Sequence, residues 1–326
     1  MKYLLKRKLG VFSILLLFGS IILFSCHNDG SSSGQEKSAK TVKIGSFSRA
    51  VDYAPYLIAK QKHWFEDSVN SKGYKVEYTE FQTLPSINEA FATGSIDIVF
   101  EAEPPAIIGK AAGIGITIRD ISCDLVQQVL VAAKSKMASI KDLKGKKIAV
   151  LAGTSSNYGV LKLLQDNGIS SSAVQIIDMT PPDAKAAFES GQVDAWAVWP
   201  PFTQQEEISG FGKTLPSGDA YINSIMAVGD SFVKGSPDAF RSIENVFTNA
   251  KSWIMQNPDS AMSIVSSQLN VPLEVIKKAW GVHNWSAKLD DKIISDIQAK
   301  ADFLKSTGKI QNSVKVKGDL IPALNN

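Results

Sequence analysis

GKKIAVLAGTSSNYGVLKLLQDNG, residues 145–168, decides the fold. Residues 147–151 read as a short buried strand, Gly153-Thr154-Ser155-Ser156 as a turn, and Asn157 onward as an amphipathic helix with Tyr158, Leu161 and Leu164 at helical spacing. The first backbone N–H groups of such a helix have no intrahelical acceptor and point at whatever lies before them, an arrangement that holds an anion. The hydroxyls of Thr154, Ser155 and Ser156 serve either as N-caps of an ordinary helix or as further donors to a bound oxyanion.

Outward from this stretch, one order of elements occurs twice. Strand 147–151 is followed by a helix to Leu164, strand 174–177, helix 184–188 and strand 193–198. Earlier in the chain, strand 42–46, a helix through Leu57 to Phe65, strand 75–78, a helix carrying Ile87, Ala90 and Phe91, and strand 96–100 repeat the series. Residues agree as well as elements: FATGSIDI (91–98) aligns with FESGQVDA (188–195), and each is followed by a proline pair, Pro104-Pro105 and Pro200-Pro201. Gly94 and Gly191 end helices, and Asp97 and Asp194 open the strands behind them, so these four residues are read as structural. Each half is βαβαβ, a parallel sheet with helices on its faces, and the fold class is α/β with two lobes.

Ligands of open parallel sheets bind beyond the carboxyl ends of the strands. Facing lobes would gather the loops 47–53, 81–83 and 101–105 of one and 153–157, 179–182 and 199–202 of the other around a single cleft. Residues 129–133 and 221–228 read as two strands joining the lobes as a hinge. Lobe one is then 41–128 plus 225–326, and lobe two is 129–224.

The chain has 326 residues, enough for two domains. Its 35 basic and 32 acidic residues nearly balance, so no basic surface for nucleic acid is implied. Lys2, Lys6, Arg7 and Lys8 precede an apolar run, 9–24, that stops at Ser25-Cys26: a secretory signal over residues 1–25. Leu23-Phe24-Ser25-Cys26 resembles the lipobox of bacterial lipoproteins, which implies cleavage before Cys26 and its lipidation, and hence an exported, lipid-anchored protein. From Cys26 to residue 40 the chain is polar and rich in Ser and Gly, a tether. Cys123 is the one other cysteine, so neither an internal disulfide nor a cysteine metal cluster can form.

Four pieces, IKDLKGKKIAV (140–150), GTSSNY (153–158), Thr180-Pro181-Pro182-Asp183 and AFESGQVDAWAVWPPF (187–202), resemble the solute-binding proteins of bacterial ATP-driven importers, in the group that takes nitrate, aliphatic sulfonates, taurine and thiamine precursors. The resemblance implies the type II periplasmic-binding-protein fold, two lobes closing on a ligand. It implies a membrane permease and a cytoplasmic ATPase as partners, a monomer, and neither catalysis nor cofactor. A related branch with the same fold makes the thiamine pyrimidine with a cysteine-rich iron loop, which Cys123 alone cannot supply.

The loops supply the candidate ligand-binding residues: Ser48, Arg49, Tyr53, Gln82, Thr83, Glu101 and Glu103 from lobe one, and Thr154, Ser155, Ser156, Asn157, Thr180 and Trp199 from lobe two. Trp199 either covers a ligand or walls the hinge. Arg49 either clamps an oxyanion or pairs with Asp52 or Glu101. Glu101-Ala102-Glu103 departs from sulfonate-binding members, which carry small residues there. Carboxylates at this place favour a ligand with a cationic part, such as taurine or a thiamine-type pyrimidine. Alternation of strand faces is expected to admit only one of the two, and Glu101, nearer the strand end, is that candidate.

Overall fold

The computed structural model describes residues 40–47, 50–218 and 220–322. The signal segment, Cys26, nearly all of the tether, and Ser48 and Arg49 lie outside the described residues. No helix among the described residues is long and apolar enough to cross a membrane.

The strands are β1 (Lys40–Phe47), β2 (Tyr74–Phe81), β3 (Ile98–Ala102), β4 (Ile116–Val126), β5 (Val129–Ala132), β6 (Lys147–Val150), β7 (Gln175–Asp178), β8 (Ala195–Ala197), β9 (Gly212–Thr214), β10 (Tyr221–Gly229) and β11 (His283–Asn284). The helices are α1 (Ala54–Gln61), α2 (Trp64–Asn70), α3 (Leu84–Ala92), α4 (Glu103–Ala111), α5 (Ser155–Asp166), α6 (Pro181–Glu189), α7 (Phe202–Ser209), α8 (Asp230–Gly235), α9 (Pro237–Gln256), α10 (Pro258–Leu269), α11 (Leu273–Trp280) and α12 (Asp291–Ser306).

Two sheets result, with strand orders β11-β4-β10-β3-β1-β2 and β7-β6-β8-β5-β9. In each, three strands of one βαβαβ unit run parallel, β2-β1-β3 and β7-β6-β8, and the third pairs antiparallel with a strand from outside the unit, β10 or β5. β3 is buried along its whole length, as a strand covered on both faces must be. Over one face, Phe100 stacks on Tyr56 of α1 at 4.7 Å and meets Phe247 of α9 at 5.0 Å. The second sheet closes a smaller core of Ile148, Val150, Val160, Leu163 and Leu164.

The repeat seen in the residues has a repeated physical cause. Gly94 and Gly191 adopt φ of +67° and +74° just after α3 and α6, a conformation that other residues enter at a cost. The next turn places Asp97 and Asp194 beside the neighbouring strand, where their Oδ2 atoms accept the N–H of Lys43 (2.8 Å) and of Lys147 (2.9 Å). Their own N–H groups return to the carbonyls of the same residues, Lys43 and Lys147. Each aspartate therefore sets the register of its lobe. It also delays the strand behind it, so that β3 and β8 start at Ile98 and Ala195, two residues later than the apolar pattern suggests.

Two further expectations need correction. The helix expected to run through Leu57 to Phe65 breaks at His63, whose φ is 57°, giving α1 and α2. Nor do residues 129–133 and 221–228 form a two-stranded hinge: β5 lies in the second sheet and β10 in the first, and they do not pair with each other. Burial along most of β10 and of its long partner β4 explains this, because a strand that apolar is stabilised more as the centre of a sheet than as an exposed connector. The expected lobe boundary at 224/225 falls inside β10. The chain passes between the sheets at Gln127-Gln128 and again between β9 and β10 instead, the two crossings meeting where Gln127 N donates to Ala220 O (2.7 Å) and Leu215 N to Val129 O (2.9 Å).

Candidate functional site

The carboxyl ends of both parallel units converge on one enclosed cavity. From the first sheet and its loops come Phe47, Ala50, Asp52, Tyr53, Ala102, Leu125 and Ile222, with Leu84 and Pro105 from the starts of α3 and α4. From the second come Thr154 and Ser155 at the start of α5, and Trp199 just beyond β8. Its volume is about 20 Å³, roughly the space of one water molecule. Phe47 and Trp199 meet across it with centroids 6.0 Å apart, and Trp199 leans edge-on against Phe202.

The start of α5 is built as its sequence suggests, one residue pair earlier than expected. Thr154 is the N-cap: its Oγ1 accepts Asn157 N (3.2 Å) and donates to Leu151 O (2.7 Å). That leaves the N–H groups of Ser155 and Ser156 in the first turn without an intrahelical acceptor. The Ser156 side chain is fully buried, with no partner for its hydroxyl among the described residues. Asn157 does not line the cavity; its Oδ1 accepts Gly153 N.

Of the candidates, Tyr53, Thr154, Ser155 and Trp199 meet at the cavity. Gln82, Thr83 and Thr180 are exposed and outside it, their polar groups taken by Glu80, Ser86 and Asp183 respectively. Glu101 and Glu103 do not line it either. Alternation puts Glu101 and Ala102 on opposite sides of β3, and the small side chain is the one that faces the cavity. Glu103 instead opens α4, where the helix dipole favours a carboxylate. It accepts Asn223 N (3.0 Å) and Asn223 Nδ2 (3.3 Å) and forms a buried ion pair with Lys300 of α12. Glu101 is fully buried with no hydrogen-bond partner on either oxygen among the described residues, and burial pushes its pKa well above the usual carboxylate range.

Asp52 is the residue that sequence reasoning left in a minor role. It is 5% exposed, lines the cavity, and its Oδ1 has no hydrogen-bond partner among the described residues. Burial raises its pKa to about 7, partly offset by its own backbone N–H and the Ser224 hydroxyl and reinforced by the Glu103 carboxylate. Burial also holds the Tyr53 phenol far above its ordinary value, with Asp52 adding to the effect, so Tyr53 stays a donor. The signal for Asp52 was its place, three residues beyond Arg49 in the first βα loop.

The two halves also touch through α11 and α7. Lys278 of α11 pairs with Glu207 of α7 at 2.8 Å, while Glu207 Oε1 accepts the N–H and hydroxyl of Thr214. Lys278 is half exposed. Replacing it with Ala is expected to cost only about 0–1 kcal/mol of stability while loosening the closed form, seen as a larger radius of gyration in solution scattering. An unchanged profile would show that the pair does not hold the halves together.

The family model described as NMT1/THI5 like matches residues 50–261. A Bacillus subtilis (strain 168) protein described as "Putative aliphatic sulfonates-binding protein" is 33% identical over 310 residues, 93% of this chain and 92% of that one. The taurine-binding periplasmic protein of Escherichia coli (strain K12) is 24% identical over 216 residues, covering 63% and 64%. Among solved structures, the alkanesulfonate-binding protein SsuA from Xanthomonas axonopodis pv. citri bound to MOPS superposes with a TM-score of 0.75 at 22% identity, over 86% of this chain and 97% of that chain. The fold is thus the two-lobed one of periplasmic binding proteins, and the chain belongs to the NMT1/THI5-like family.

Proposed function

We propose that this protein captures a small organic sulfonate for an ABC importer. It is the solute-binding component, with the solute held between the lobes. The observation that carries the reading is the unpaired first turn of α5 at Ser155 and Ser156, set against a cavity whose other walls are mostly apolar. Backbone N–H groups and the positive end of the helix suit a sulfonate. Phe47, Leu84, Leu125, Ile222 and Trp199 suit a short carbon chain rather than a bare ion such as nitrate. Relatives named for sulfonates and taurine support the same class. A thiamine precursor is not favoured.

The role is binding rather than catalysis. Cys123 is fully buried, and burial raises its thiol well above the ordinary value, so it is no nucleophile. Export follows from the basic start and apolar run of residues 2–24, with Cys26 as the lipid attachment point and a permease with its ATPase as partners; the protein acts as a monomer. Replacing Cys26 with Ala should leave an unlipidated precursor that takes up no labelled fatty acid.

Because the cavity holds about one water, a sulfonate with a carbon tail enters only when the lobes part, and closes them again by bridging α5 to the first sheet. Saturating the protein with a cognate sulfonate at a hundredfold excess over Kd is expected to stabilise it by about 2.7 kcal/mol, read as a rise in Tm. Nitrate producing the same rise as every sulfonate tested would overturn the sulfonate reading.

A further inference from the structure

Two polar features line the cavity, one from each half of the fold, and only one of them suits an anion. In the first, Ser155 and Ser156 present N–H groups. The other is Asp52, a carboxyl group 5% exposed whose Oδ1 has no partner among the described residues. Among the described residues, its surroundings do not supply the missing cation. The groups acting on it or on its neighbours Tyr53 and Cys123 are predominantly acidic: Glu101 of β3, Glu103 of α4 and Asp124 of β4, against Lys251 of α9. Lys251 is itself paired with Asp120 at 2.8 Å. Of Glu103's neighbours, Lys300 is paired with Glu103. A carboxylate left unpaired beside a bound sulfonate would be both desolvated and repelled.

We propose that Asp52 forms a cation subsite of the cavity, so that the solute is an ammonium-bearing sulfonate rather than a plain alkanesulfonate. The proposal rests on the sulfonate reading above and deepens it. The sulfonate sits at the start of α5 and the ammonium donates to Asp52 Oδ1. This assigns to Asp52 the charge selection that the sequence suggested for Glu101, which lies on the far side of β3 from the cavity.

The test compares two ligands of equal length, taurine and propane-1-sulfonate, in which a methyl group replaces the ammonium. Titration calorimetry of the purified protein at pH 8 is expected to show at least a tenfold preference for taurine. In Asp52→Asn the preference should shrink to threefold or less, with propane-1-sulfonate bound as tightly as before or more tightly. Equal binding of the two by the natural protein overturns the cation subsite without needing the variant, and leaves the sulfonate reading standing. So does a preference that survives in Asp52→Asn. Binding of neither compound sinks the sulfonate reading and the subsite with it.

Discussion

Replacing Lys300 with Met is expected to destabilise the protein by about 3–5 kcal/mol, because it strands the carboxylate of Glu103 inside the first lobe. Both side chains are nearly inaccessible, at 4% and 1% exposure. Glu103 keeps its two hydrogen bonds from Asn223 in the variant, so part of its charge remains solvated by the protein. The lost ammonium also lies 5.8 Å from the centre of the Tyr158 ring on α5, so the variant removes a contact between the halves as well. Denaturant unfolding of Lys300→Met, Glu103→Gln and the double variant isolates the pair. The double variant should recover most of the loss, since a buried ion pair exchanged for neutral groups of similar size costs little. A single-variant cost below about 1 kcal/mol would mean that the pair is solvated like a surface one.

That ion pair also explains why the acidic stretch 101–103 misleads a reader of the sequence. Two glutamates next to a binding loop look like ligand contacts when nothing local shows Lys300, almost two hundred residues away, which claims one of them. The features that were legible are local ones. The Gly-x-x-Asp turns at 94–97 and 191–194 act through a backbone angle and a hydrogen bond to the next strand, both encoded within a few residues. Likewise the Thr154 cap needs only Asn157. The cavity floor was hidden because it depends on pairing between distant strands: Leu125 of β4 and Ile222 of β10 stand opposite each other in the register, and both enter the cavity. Thr83 and Thr180 have the right chemistry in the right loops, yet each spends its hydroxyl on a residue three positions on in its own helix. Loop position therefore named the site, while long-range packing chose its members.

Asp52→Asn is expected to make the ligand-free protein more stable at pH 8, by up to about 4 kcal/mol, with the advantage vanishing near pH 4. The pKa of Asp52 is 3.8 in the absence of perturbation and about 7 in the fold. A group raised in this way binds its proton more tightly when folded, so its contribution is fully favourable below pH 3.8 and is lost as pH rises through 7. A separation of roughly three pH units at about 1.36 kcal/mol each gives the size of the effect. Asn does not titrate and escapes the loss, although its amide brings a buried donor of its own and trims the gain. His283, which burial lowers to about 4, destabilises the fold in the opposite direction as pH falls below 6.5, but equally in both proteins, so it cancels in their difference. Urea unfolding of the two proteins across pH 4–8 reads that difference directly. A difference that stays flat over the whole range would show that Asp52 is not a desolvated carboxyl. A difference that grows with pH, and that saturating taurine abolishes, would mean that the residue costs stability only until the solute's ammonium arrives, the pattern expected of a group kept for binding.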